Sequence, residues 1–311
     1  MANTELLGIE RAAVPTAHRG AARALPFVRD LAILTKPRIT ALVLLTSAAG
    51  MLLAPGRVAA RSCLLSLLGT ALIVGAANAL NMWWERDVDA LMTRTKNRPL
   101  PAGRMAPEVA LAFGLALAVL STPMLFFVNA TTGVLGLVAL VSYVAIYTPL
   151  KRHTHLALLV GAVPGAMPPL LGWSTTAGTL GAGGLLLFAV LFLWQVPHFA
   201  AIAIFRAEDY ARAGLQVVSV QHGELAARRT VAVYAALLAV ASLLFMPLGL
   251  AGARYTAVAT LLDAALLALA VRGVRGGPRF DGRRWAKRVF AFTIVYLTVL
   301  LAALLSNRPP S

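Results

Sequence analysis

The chain has 311 residues, of which 59% are hydrophobic and only 13% charged, with a formal net charge of +16. That balance excludes a soluble globular domain and points to a polytopic membrane protein. Cys63 is the one cysteine, which excludes an intrachain disulfide and a cysteine cluster for zinc or iron–sulfur.

Residues 1–35 carry Arg11, Arg19, Arg23 and Arg29 together with Glu5 and Glu10, and lack the apolar core of a signal peptide. They are expected to form a short, mobile cytoplasmic tail, followed by an intramembrane domain over 36–311. A bilayer-spanning helix needs about 20 largely apolar residues. Nine stretches qualify, at approximately 38–54, 63–84, 107–127, 131–149, 154–173, 183–205, 229–249, 255–272 and 287–306. The alternation of a membrane barrel is not evident, so the predicted fold is an all-α polytopic bundle of about nine transmembrane helices.

Lys and Arg test this map, because they concentrate in cytoplasmic loops. All but Arg57, Arg61, Arg254 and Arg308 fall on one side of it, which places the N-terminus in the cytoplasm and the C-terminus outside. A basic balance can also signal nucleic-acid binding. Here the charge sorts with topology, and no nucleic-acid partner is expected.

Carboxylates are scarce, and five of the 12 Asp and Glu residues form two groups. The first is in Asn78-Ala-Leu-Asn81-Met-Trp-Trp-Glu85-Arg-Asp87-Val-Asp89. At 3.6 residues per turn, Asn78, Asn81, Glu85 and Asp89 fall within an arc of roughly 80°, with Arg86 and Asp87 directed elsewhere. The second group, Glu208 and Asp209, follows the sixth stretch and emerges on the same side. Isolated acids at a helix end are ordinarily just solvated. Two such groups facing one cavity suit Mg²⁺ on a diphosphate, because Mg²⁺ joins one or two carboxylates to substrate phosphates. The adjoining Arg94, Lys96 and Arg98, and the pair Lys151 and Arg152, are candidates for phosphate oxygens. Positive-inside sorting alone also accounts for any single one of them.

In Trp194-Gln195-Val-Pro197-His198, the histidine precedes Asp209 by eleven residues. On an unbroken helix the two differ by about 20° in direction and roughly 16 Å in height, so they could line one cavity at different depths. Pro197 can bend the helix and relax this. A lone intramembrane His is equally often hydrogen-bonded to a neighbouring helix.

These segments resemble the UbiA superfamily of intramembrane prenyltransferases over most of residues 34–223. The likeness includes Leu34-Thr-Lys36-Pro37-Arg38, Asn81 through Asp89 with Arg94-Thr-Lys-Asn-Arg98-Pro99, Tyr147-Thr-Pro-Leu-Lys151-Arg152, and Gly165-Ala-Met-Pro168-Pro169-Leu-Leu-Gly172-Trp173. The Trp194-Gln195-Val-Pro197-His198 and Phe205-Arg206-Ala-Glu-Asp209-Tyr210 blocks resemble its haem-farnesylating branch. The resemblance implies electrophilic transfer of a farnesyl group from farnesyl diphosphate to a vinyl group of haem B, forming haem O, with Mg²⁺ as cofactor. It implies that Asn81, Glu85, Asp89 and Asp209 form the catalytic metal set with Asn78 orienting them. Arg94, Lys96, Arg98, Lys151 and Arg152 would hold the leaving diphosphate, and His198 would lie on the haem side. It further implies a bacterial cytoplasmic (inner) membrane, contact with membrane lipid, and a haem A synthase or oxidase assembly factor as partner.

The sequence departs from that branch where Glu85 replaces Asp, where Ala157 replaces Asn, and where Gln216 and Ser219 stand in a segment expected to carry two prolines. Two other functions stay open. One is prenylation of an aromatic or quinone-precursor acceptor, although that pattern usually places an Asp after the first Asn, where Met82 stands here. The other is a non-catalytic haem-binding or transport protein.

Overall fold

The computed structural model describes residues 17–307; the expectations for residues 1–16 and Arg308 lie outside the described residues. The elements are α1 (Ala17–Leu34), α2 (Pro37–Leu53), α3 (Ala60–Trp84), α4 (Arg86–Leu91), α5 (Pro107–Val128) and α6 (Ala130–Val141), which runs through a π-helical turn (Ser142–Tyr147) into α7 (Thr148–Leu150). They continue as α8 (Ala157–Ala177), α9 (Ala182–Phe205), α10 (Ala207–Arg212), α11 (Val218–Gln221), α12 (Gly223–Leu243), α13 (Ala253–Arg275) and α14 (Gly282–Ser306). Among the described residues, eight helices are long and apolar enough to cross a membrane, or nine with the bent α1–α2 pair taken as one span. The protein is therefore an integral membrane bundle, as its composition requires. Leu45, Val119, Phe127 and Leu261 are exposed on its outer surface, where lipid rather than water is the natural solvent.

The α1–α2 pair bends by 45°. Pro37 disfavours the helical conformation at the preceding residue, and Lys36 takes a left-handed φ of 48°. A non-glycine residue there costs about 1–2 kcal/mol. The carbonyl of Thr35 freed by the break accepts hydrogen bonds from Thr40 Oγ1 at 2.8 Å and Asn78 Nδ2 at 3.4 Å. The region expected to be a mobile tail is thus helical from Ala17, with Leu34 fully buried and Asp30 paired to Arg104.

Two packed groups meet around a central cavity. In the first, Leu80 of α3 fills the space left by Gly114 of α5, and Ile73, Leu80, Leu125 and Leu140 form one cluster. Helices α2 and α8 approach backbone to backbone, because Gly50 lies against the Pro169 carbonyl and Gly172 against that of Ser47. Small residues permit such approach inside a membrane. In the second group, α9, α12, α13 and α14 bury Val231, Leu238, Tyr255, Leu266, Tyr296 and Leu300.

Helix α12 starts and ends six residues before the stretch expected at 229–249. Its first turns carry charge because Glu224 pairs with Arg228 at 3.2 Å, and Arg228 lies over Phe280 while donating to the Gly273 carbonyl at 3.0 Å. Helix α14 likewise begins early, at Gly282, capped by Asp281 accepting from the Arg284 N–H at 2.9 Å.

Candidate active site

The acidic face of the first carboxylate group survives a break in its helix. Helix α3 stops at Trp84 and α4 starts at Arg86, yet the Glu85 N–H donates to Asn81 O at 3.0 Å and the Asp89 N–H to Glu85 O at 2.8 Å. The four-residue spacing therefore continues through the junction. Asn78, Asn81, Glu85 and Asp89 are 5%, 3%, 5% and 1% exposed, whereas the Asp87 side chain is 80% exposed.

All four buried residues line a cavity of about 470 Å³, bounded by α2, α3, the π turn, α8 and α9. Its far wall is apolar, with Ile39, Val43, Ile73, Leu140, Pro164 and Phe199; its polar end adds Lys36, Arg94, Arg98, Lys151 and Tyr210. Each carboxylate there is held by a cation. Lys151 Nζ is 2.5 Å from Glu85 Oε1, and Arg98 Nη1 is 2.6 Å from Asp89 Oδ2. Burial, then the Lys36 and Arg152 charges, push the Lys151 ammonium down to about 7. Burial pushes the Tyr210 phenol up, so it remains a neutral donor.

The π turn completes this end. Thr148 Oγ1 donates to the Tyr143 carbonyl at 2.8 Å and accepts from Asn81 Nδ2 at 3.1 Å, while the same amide nitrogen donates to Glu85 Oε2 at 3.0 Å. Both amide hydrogens of Asn81 are spent, which directs its Oδ1 to other work. Tyr143 and Tyr147 line the cavity with ring centroids 5.3 Å apart, and Lys151 Nζ lies 5.0 Å from the Tyr147 ring centre.

The cavity thus gathers Asn78, Asn81, Glu85, Asp89, Arg94, Arg98 and Lys151 from the expected set. Lys96 and Arg152 are exposed and do not line it. Asp209 does not line it either. The chain breaks at Arg206, and the Asp209 carboxylate lies 3.3 Å from Arg212 and 3.8 Å from Arg206, so the next residue, Tyr210, faces inward. His198, expected on the acceptor side, does not line this cavity. Its Nδ1 is 2.8 Å from Thr293 Oγ1 of α14, and its ring stacks with Trp194 and Phe290. The cavity face of α9 is instead Gln195, Phe199, Ile202 and Ala203, with position 198 at the edge of that arc and its ring drawn toward α14 by Thr293.

Lys36, Tyr143, Gln195 and His155 also line the cavity and were not among the expected residues. A lysine before a proline and a glutamine in an apolar helix were the available signals. Gln195 Nε2 donates to Ala162 O at 3.2 Å and Leu191 O at 3.1 Å, against Gly165, where a side chain would collide with its Oε1. Of the departures from the resembled branch, Glu85, Ala157 and Gln216 line the cavity, whereas Ser219 anchors α11 to the Ala203 carbonyl at 2.8 Å.

No group of three His, Cys, Asp or Glu side chains poised for a metal occurs among the described residues. Asn81, Glu85 and Asp89 nevertheless form an all-oxygen donor set on one buried face, which is the chemistry a hard divalent cation requires.

Comparison with known proteins agrees with this architecture. The UbiA prenyltransferase family matches residues 43–294. A protoheme IX farnesyltransferase from an Anaeromyxobacter species is 53% identical over 281 residues, covering 90% of this chain and 94% of the relative. A solved structure of digeranylgeranylglyceryl phosphate synthase superposes with a TM-score of 0.77 at 15% identity, covering 90% of this chain and 97% of that one. A UbiA homologue from Archaeoglobus fulgidus bound to GPP and Mg²⁺ has a TM-score of 0.57 at 17% identity, covering 89% of this chain and 99% of its own. The last two likenesses concern the fold alone. With the matched segment running from α2 into α14 and carrying all of the cavity lining except Lys36 and Ile39, this chain belongs to the UbiA prenyltransferase family.

Proposed function

We infer that this chain transfers the farnesyl group of farnesyl diphosphate to a vinyl group of haem B, forming haem O. The observation that carries this is its 53% identity to a protoheme IX farnesyltransferase over nearly the full length of both. The cavity supports it chemically, with an apolar wall for the isoprenoid and a cationic end for the diphosphate.

In this reading Lys151 and Arg98 leave Glu85 and Asp89 for the diphosphate, joined by Lys36 and Arg94. Asn81, Glu85 and Asp89 then hold Mg²⁺, which when bound neutralises charge on the leaving group. Preorganised cations stabilise the charge that develops on the diphosphate oxygens as the C–O bond breaks. The faces of Tyr143 and Tyr147 stabilise positive charge on the allylic carbon, and the apolar wall keeps water from it. Its basic loops support a cavity end that opens toward the cytoplasmic face of a bacterial inner membrane.

The test is incubation of the purified protein with Mg²⁺, haem B and farnesyl diphosphate, with products analysed by mass spectrometry. Farnesylated haem is the expected product. Prenylation of an aromatic acid or quinone precursor instead, with haem untouched, would leave only the family assignment standing.

A further inference from the structure

One group at the cavity's polar end is oriented but unused by the roles above. His155 lies in the turn between α7 and α8, is half-buried and lines the cavity. Its backbone N–H donates to Gln221 Oε1 at 3.3 Å, and its ring Nδ1 lies 2.7 Å from the same oxygen. An amide oxygen only accepts, so Nδ1 carries a proton, and in the neutral ring the lone pair is on Nε2. His222 presses on the same side, its Nε2 3.3 Å from His155 Nδ1 with the two rings nearly perpendicular. Nε2 of His155 has no hydrogen-bond partner among the described residues.

Metal-ligating histidines characteristically donate the second ring N–H to an oxygen acceptor, which fixes the tautomer and raises the basicity of the ligating nitrogen. His155 and Gln221 have that arrangement at the polar end of the cavity. His198 has the same internal logic, donating to Thr293, but is sandwiched between aromatic rings away from the cavity.

We propose that His155, oriented by Gln221, is an axial ligand to the iron of the porphyrin acceptor, holding the macrocycle beside the diphosphate end of the cavity. The proposal rests on the haem-farnesylating function for its ligand. His155 is four residues from Lys151, and the N–H of Gln216, another lining residue, donates to the Lys151 carbonyl at 3.1 Å. Iron ligation at this turn therefore brings the edge of the ring to the place where the allylic carbon loses its diphosphate.

The experiment uses the full chain in lipid nanodiscs, titrated with ferric haem B and followed by visible absorption and electron paramagnetic resonance. Wild type and His198→Ala are expected to give a histidine-ligated signature. His155→Ala should lose it, regain it with added imidazole, and bind a farnesyl diphosphate analogue as wild type does. His155→Met should change the spectrum to that of a thioether ligand, and Gln221→Leu should weaken haem binding about tenfold. An unchanged haem spectrum in both His155 variants, or equal loss of the signature in His198→Ala, overturns the proposal. Product analysis on the same wild-type sample separates the two ideas. Farnesylated haem with unchanged spectra refutes the ligation alone, whereas lack of product with a His155-dependent spectrum refutes the transfer alone.

Discussion

Asp89→Asn is the sharpest perturbation of the proposed metal face, because it removes one charge with almost no change in volume. Asp89 is 1% exposed and accepts from Arg98 at 2.6 Å. Breaking a fully buried ion pair costs about 3–5 kcal/mol. The Arg98 side chain is 21% exposed and its guanidinium can turn toward the cavity, so the stability loss should be smaller, about 1–2 kcal/mol. The effect on turnover is larger. Removing one preorganised group that stabilises transition-state charge typically costs a factor of about 10²–10³, or roughly 3–4 kcal/mol. The comparator is Asp87→Asn, two residues away, 80% exposed and only 3.9 Å from Arg86. Surface changes of that kind stay within about 0.5 kcal/mol, and its turnover should remain within about twofold. Initial rates of haem farnesylation at saturating substrates, with matched expression and melting curves, measure both. Equal losses in the two variants, or a loss below about threefold in Asp89→Asn, would refute the argument that Glu85 and Asp89 act from one continuous face.

Lys151→Met should weaken binding of a farnesyl diphosphate analogue by tenfold or more, about 1.4 kcal/mol, and lower the melting temperature by leaving Glu85 unpaired. Adding Glu85→Gln should restore the melting temperature and not the binding, as measured by isothermal titration and thermal shift. Gly172→Ala places a methyl against the Ser47 carbonyl and, at 2.9 Å, the Met51 nitrogen; a backbone cannot yield as a side chain does, so about 1–3 kcal/mol of stability should be lost, read by chemical denaturation in detergent. Single-cysteine labelling should reach positions near 95, 210 and 280 from the cytoplasm and positions near 57, 130 and 178 from the other side; opposite sidedness of 95 and 210 would dismantle the shared cavity.

The helices were legible in the sequence because a bilayer demands long apolar runs, and the errors fall where other forces act. The ends of α12 and α14 were misplaced because Arg228 and Asp281 satisfy interfacial helix turns by an ion pair, an aromatic contact and a cap. The acidic face was legible because hydrogen bonding continues through Glu85 despite the break. The direction of the His198 ring was not, for a physical reason. A helix apolar on all sides carries no periodic signal of direction, and α9 is buried against the cavity on one stripe and α14 on another. Lys36 was hidden because its role depends on a left-handed residue whose freed neighbouring carbonyl is capped from α3.

The pairing of Lys151 with Glu85 and of Arg98 with Asp89 has a consequence for the order in which ligands arrive. Two carboxylates face four cations, Lys36, Arg94, Arg98 and Lys151, at the cavity's end. A bare divalent ion approaching this surplus of positive charge is repelled, and each carboxylate it needs is already occupied. A diphosphate is attracted by the same field and draws the cations to itself. As Lys151 and Arg98 move to the anion, Glu85 and Asp89 are released with their lone pairs turned to the cavity. On the proposed function, a prenyl diphosphate entering first or already carrying its metal would thereby unlock the carboxylates proposed to hold Mg²⁺.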